Sequence, residues 1–138
     1  WVRVAVGHGL GARPGAAVVN VASIGAWTVE DGLGAYNASK AAIHQLSESI
    51  RLQLADTSVK VVELAPPSVR TDLMPGQAES DFAMPLDAFA DEVLSLIESQ
   101  PDAKEILVEG VKFLRFAEVN GQYDATVGMI NTHDPHGK

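Results

Sequence analysis

AAVVNVA at residues 16–22, AYNASKAAIHQLSESIRLQLA at residues 35–55 and VKVVELA at residues 59–65 carry the hydrophobic rhythms that decide the fold. The first is a nearly continuous apolar run behind the turn signal Arg13-Pro14-Gly15. Such a run predicts a strand buried on both faces, as in a parallel sheet. In the second, Ala38, Ala41, Ala42, Leu46, Ile50 and Leu54 recur at helical intervals with polar residues between them and no Gly or Pro. That pattern predicts a long amphipathic helix. The third predicts another strand, which Pro66-Pro67 stops because proline has no N–H for a sheet ladder. Strand, helix and strand with short links make a βαβ unit, with parallel strands and a right-handed crossover.

Outward from this unit the pattern thins. Residues 23–34 are Gly-rich and predict a loop; residues 71–84, with Pro75-Gly76, predict another. Residues 85–100 predict a second helix: Pro85 suits a first turn, and Leu86, Phe89, Val93, Leu94 and Ile97 form a stripe. Residues 105–108 predict a third strand and residues 112–118 a short helix or turn. From Asn120 onward the expectation is a polar tail without a defined element.

The 138 residues carry ten Lys+Arg against 18 Asp+Glu, a formal net charge of −8, and no cysteine. Disulfides and thiolate metal sites are therefore excluded. With no basic stripe to displace counterions from phosphates, no nucleic-acid partner is expected. No apolar run approaches the ~18 residues of a membrane helix and no signal peptide is visible, so no membrane partner and a cytoplasmic location are expected. His133-Asp134-Pro135-His136 reads as tail, and no metal is expected.

Tyr36 and Lys40 stand four apart at the start of the long helix, on one face. A phenol is a poor acid–base group at neutral pH, but an ammonium within ~4–6 Å favours the phenolate. Such a tyrosine exchanges a proton with a carbonyl or alcohol oxygen. Ser23, at the carboxyl end of the first strand, offers a hydroxyl to the same oxygen. Pro66 opens the segment at the carboxyl end of the next strand, the edge where open parallel sheets bind ligands. The ordered set is more specific than any member: Tyr36 follows Ser23 by 13 positions, and Pro66 follows Tyr36 by 30.

With Asn20-Val21-Ala22-Ser23, Tyr36-Asn37-Ala38-Ser39-Lys40 and Pro66-Pro67-Ser68-Val69-Arg70-Thr71, the sequence resembles the short-chain dehydrogenase/reductase family. Glu105-Ile106-Leu107-Val108 and Leu114-Arg115-Phe116-Ala117-Glu118 are similar to a branch named for D-alanine esterification of teichoic acids. The resemblance implies an α/β fold, a partial Rossmann-like three-layer α/β/α arrangement with a short parallel sheet, as one partial domain over residues 1–138. It implies an NAD(P)-dependent oxidoreductase transferring hydride between nicotinamide and an alcohol/carbonyl substrate. Tyr36 would be the acid/base and also a cofactor contact, Lys40 would lower its pKa and hold the nicotinamide ribose, and Ser23 would orient the substrate oxygen. Pro66, Val69 and Thr71 would flank the nicotinamide, and Trp27 would wall the substrate. A homo-oligomer through the helix at residues 35–55 is implied as well. Pro66-Pro67 departs from the Pro-Gly of many members and removes one N–H from that turn.

The family opens with a strand and a Gly-rich turn that cradles the pyrophosphate at a helix N-terminus. Gly7-His8-Gly9-Leu10-Gly11-Ala12 fits G-x-G-x-x-[GA], but Pro14-Gly15 and a valine-rich strand follow where a helix is needed, so it reads as a decoy. The asparagine that usually precedes the serine by more than 20 residues has no counterpart. The expectation is a chain holding the catalytic half of the fold without the N-terminal phosphate-binding half, and therefore binding NAD or NADP weakly or not at all. The rival expectation is a non-catalytic interaction or dimerisation module, or a fragment without function.

Overall fold

The computed structural model describes Arg13 and residues 15–132. Strand β1 (Ala17–Val21) pairs in parallel with β2 (Lys60–Leu64), and β2 in parallel with β3 (Glu105–Ile106), giving the sheet order β1-β2-β3. Val18 stands opposite Val61, Asn20 opposite Glu63, and Glu63 opposite Glu105. Helix α1 (Gly34–Gln53) is the crossover between β1 and β2, and α2 (Leu86–Ser99) the crossover between β2 and β3. Two short segments, α3 (Lys112–Arg115) and α4 (Tyr123–Thr132), follow.

The period-two alternation of β2 divides the core. Ile50 of α1 and Leu54, which caps it, pack on Val59 and Val61, with Ala16 and Val18 against them. On the opposite face Phe89, Val93 and Leu96 of α2 pack with Val62, Leu64, Ile106 and Val108. Helix, sheet and helix therefore form the three layers expected from the sequence. Polar ties fix α1 on the sheet. Asn20 Nδ2 donates to Ser47 Oγ (3.0 Å), which donates to the Ile43 carbonyl (2.8 Å). Arg51, in the last turn of α1, donates to the carbonyls of Val61 and Lys104 (3.2 Å each). There it also complements the negative end of the helix dipole.

Three expectations change. First, β1 is not buried on both faces: Val19 and Val21 are each 52% exposed. Helix α1 covers the side bearing Val18, while on the other side a groove lined by Val19, Val62, Leu64 and Ile97 lies open. Second, the third strand is only two residues long, because the chain turns at residues 109–111 into a tight 3-10 turn. Third, the region after Asn120 contains α4, entered through Gly121 in a left-handed conformation (φ 68°), with Gln122 N–H donating to the Ala117 carbonyl (2.8 Å). No helix among the described residues is long and apolar enough to cross a membrane. The G-x-G-x-x-[GA] decoy and the His133–His136 stretch lie outside the described residues.

Candidate active site

Parallel strands bring their carboxyl ends to one edge, and the sequence puts its reactive side chains just beyond them. Ser23 lies two residues past β1 and Pro66 two past β2. The N–H of Ala22 donates to the Leu64 carbonyl (2.8 Å) and that of Ile24 to the Pro66 carbonyl (3.0 Å), locking the two segments side by side. Proline withholds an N–H here but still supplies the acceptor.

Ser23 caps a 3-10 turn, Ile24–Ala26. Its Oγ accepts the Gly25 N–H at 3.2 Å. A hydroxyl has one hydrogen and two lone pairs, so the Ser23 hydrogen is left to donate elsewhere. Gly25 is required by close approach: a Cβ there would stand 2.7 Å from Asn37 Oδ1 and 3.6 Å from Tyr36 Cε1. Asn37 is a short side chain buried in the first turns of α1, with its Nδ2 unpartnered. It has little room to yield. Gly25→Ala is expected to cost about 1–3 kcal/mol, the usual range for overpacking, and to displace Tyr36. A shift of the urea midpoint to lower concentration, together with reduced activity, checks this.

Tyr36 and Lys40 are both half-buried on one face of α1. The Lys40 Nζ lies 5.6 Å from the Tyr36 ring centroid and donates to the Val21 carbonyl (3.2 Å). One of three ammonium hydrogens is thus used for position. The segment after Pro66 is fixed by a parallel bridge between Val69 and Met84 and by Gln77 Nε2 donating to the Val69 carbonyl (2.6 Å).

Ser23 and Tyr36 sit between two clefts. One, of about 220 Å³, is lined by Val21, Lys40, Pro66, Val69 and Thr71 beside them. The other, of about 70 Å³, is lined by Glu30, Leu33, Asn37, Met74 and Gln77 beside them. Ser23, Tyr36, Lys40, Pro66, Val69 and Thr71, all singled out in the sequence, therefore gather in one place. Trp27 does not join them. Its indole lines a separate cavity with Ala26, Glu118 and Tyr123. Asn37, Met74 and Gln77 were not found from sequence; only the place of Asn37 within Tyr36-Asn37-Ala38-Ser39-Lys40 hinted at one of them.

Beneath the site lies a charged cluster. Glu63, fully buried in β2, has its Oε2 2.9 Å from His44 Nδ1, while its Oε1 has no partner. His44 faces the sheet because it stands two helical turns beyond Tyr36 on the same side of α1. Two exposed or half-exposed carboxyls elsewhere are held below the usual carboxylate range: Glu48 by its hydrogen bond to Arg51, and Asp102 by its hydrogen bond to Lys60.

A parallel sheet, Ser23 and Tyr36 between two clefts, and Lys40 a turn beyond Tyr36 make an α/β site at the carboxyl edge of the sheet. A family model described as short chain dehydrogenase matches residues 2–81, and the chain belongs to that family. It is 34% identical over 124 residues to the uncharacterized oxidoreductase DltE of Bacillus subtilis (strain 168), covering 88% of this chain and 49% of that protein. This agrees with the branch indicated by the sequence. It is 42% identical over 59 residues to dehydrogenase/reductase SDR family member 4 of Bos taurus, covering 43% of this chain and 21% of that protein. The chain thus spans about half the length, or less, of these curated relatives. Among solved structures, a short chain dehydrogenase from Burkholderia cenocepacia J2315 in complex with NADP superposes with a TM-score of 0.67 at 21% identity, over 83% of this chain and 49% of that one. A short-chain dehydrogenase from Streptomyces avermitilis gives 0.59 at 22% identity, over 82% and 49%. At these identities the likeness is one of fold.

Proposed function

We propose that the protein is an NAD(P)-dependent oxidoreductase acting on a small alcohol/carbonyl pair, with Tyr36 as acid/base, Lys40 beside it and Ser23 orienting the substrate oxygen. The observation that carries this reading is the partition of the two clefts: Ser23 and Tyr36 line both, whereas Lys40, Pro66, Val69 and Thr71 line only one.

The larger cleft fits a nicotinamide. Val21, Pro66 and Val69 offer an apolar wall, and the Lys40 ammonium and Thr71 hydroxyl offer polar groups at its rim. Those residues would hold the ring and its ribose. No described strand is joined to a helix by a G-x-G-x-x-[GA] turn, so the described residues would hold the nicotinamide end only. When bound, the nicotinamide supplies or accepts the hydride. The chain's own residues do the rest. Ser23, its lone pair engaged by Gly25, donates its hydrogen to the substrate oxygen. Tyr36 gives that oxygen a proton as the carbon is reduced, and regains one in the opposite direction. The Lys40 ammonium, 5.6 Å from the ring centroid, would stabilise the phenolate left behind. Exposed Leu46 and Leu52 on α1 support pairing of two copies through this helix.

The experiment is a titration of the full chain into NADPH and into NADH, followed by nicotinamide fluorescence. Weak but saturable binding that weakens further on replacement of Lys40 by alanine is expected. Saturable binding indifferent to Lys40→Ala, or no binding of either dinucleotide, overturns the proposal.

A further inference from the structure

We propose that the carboxyl-terminal segment, residues 105–132, is a strap that positions the Ser23 turn from behind, acting through Trp27, with Arg115 and Asn131 as its positioning residues. This rests on the reading of Ser23 as the substrate-orienting hydroxyl.

Trp27 closes the 3-10 turn that Ser23 opens, its N–H donating to the Ile24 carbonyl at 3.0 Å. Its indole is gripped from two sides. The Arg115 guanidinium lies 4.4 Å from the ring centroid, and the His44 imidazole meets the ring edge-on at 4.7 Å and 62°. Each grip is anchored by a strand carboxylate. Arg115 Nε and Nη2 fork onto Glu105 Oε2 (3.0 Å) and Oε1 (2.8 Å), and His44 Nδ1 meets Glu63 Oε2. Glu63 and Glu105 are register partners on adjacent strands. The indole is therefore tied to the floor of the sheet at two neighbouring points. Further along the same loop, Asn131 of α4 behaves as a surrogate backbone. Its Nδ2 donates to the Val29 carbonyl (2.9 Å) and its Oδ1 accepts the Asp31 N–H (2.7 Å).

A planar fork that also stacks on an indole is a task for arginine; lysine keeps the charge and loses both geometries. Trp27 lines neither cleft, so its contacts serve position, not substrate contact. Donor atoms of His44, Glu63 and Glu105 lie within 4.8 Å of one another, a spacing a metal ion could also use. Yet both oxygens of Glu105 are engaged by Arg115, and His44 is engaged by Glu63, which favours the clamp.

The test uses the full chain carrying Trp1→Phe, so that Trp27 is the sole indole, with Arg115→Ala, Arg115→Lys and Asn131→Ala added singly. Each variant is expected to red-shift Trp27 emission or speed amide exchange over residues 23–33. Misplacing a positioned group by about 1 Å costs on the order of 10²-fold. Reduction of 4-nitrobenzaldehyde and of 2,3-butanedione by NADPH is therefore expected to lose about 10–10² in kcat, by the same factor for both, with NADPH affinity unchanged and no rescue by Arg115→Lys. Unchanged emission and exchange overturn the strap. A loss that differs between the two carbonyls makes Trp27 a substrate wall instead. Stoichiometric Zn²⁺ uptake abolished by His44→Ala makes the cluster a metal centre. The fluorescence and exchange arms decide the strap even when neither carbonyl is turned over, so its failure is separable from failure of the oxidoreductase reading.

Discussion

Tyr36→Phe is expected to lower kcat for NADPH-dependent carbonyl reduction by about 10²–10⁴-fold, the usual worth of a positioned proton donor, or about 3–5.5 kcal/mol of barrier. The substitution removes one oxygen and leaves the ring against Gly25, so the packing at the start of α1 is preserved. The fold is carried elsewhere, by Ile50, Leu54, Val59 and Val61 on one face of the sheet and Val93, Ile106 and Val108 on the other. The urea midpoint is therefore expected to stay within the range of an exposed substitution, about 0.5 kcal/mol. The Kd for NADPH is expected to change little, because the cofactor-side cleft keeps Lys40, Val69 and Thr71. Steady-state kinetics with both carbonyl probes, beside a denaturation curve, separates the outcomes. Full turnover by the phenylalanine variant would remove Tyr36 from the chemistry. A lost turnover accompanied by a collapsed midpoint would instead show that the hydroxyl supports the fold.

The gathering of these groups was legible because each lies at a position that topology dictates. A βαβ unit has one carboxyl edge, and Ser23 and Pro66 follow their strands by two residues. Tyr36 and Lys40 share a helical face by spacing alone, and no tertiary information is needed to place them together. The charged floor was not legible in the same way. Glu63 sits in VKVVELA, where alternation alone does not say that a carboxylate takes an inward position between Val61 and Ala65. Only the partner two turns beyond Tyr36, His44, explains it, and a histidine among polar helix residues reads as surface. Trp27 was placed in the right loop, but its ring lines a different cavity from the two that Ser23 and Tyr36 share. A short 3-10 turn rotates its side chain toward α3, and single-residue twists of that kind leave no periodic signal. Helix α4 escaped for a related reason: Gly121 precedes and Gly128 interrupts a weakly amphipathic ten-residue segment, whose position is set by Asn131 reaching back about a hundred residues to Val29 and Asp31.

The charged floor also carries the largest expected change in stability. Glu63 is completely buried and its carboxylate has one partner, His44; its second oxygen has none. His44→Ala would leave that carboxylate in the core with no partner at all, and breaking a buried pair in this way costs about 3–5 kcal/mol. It would also free one side of Trp27. Because the cost arises from the stranded charge, it should be relieved by removing the charge. Glu63→Leu added to His44→Ala is expected to recover most of the loss, since apolar replacement of a buried pair is often neutral or stabilising. The second substitution therefore moves the urea midpoint back toward the parent value, a result that simple loss of packing volume does not produce. If the two losses were merely additive, or if His44→Ala cost less than about 1 kcal/mol as an exposed pair would, His44 would be an ordinary helix residue and Glu63 would be held by something other than its imidazole. Recovery of stability in the double variant without recovery of Trp27 emission would further separate the two tasks of His44: partnering the carboxylate beneath it, and bracing the indole above.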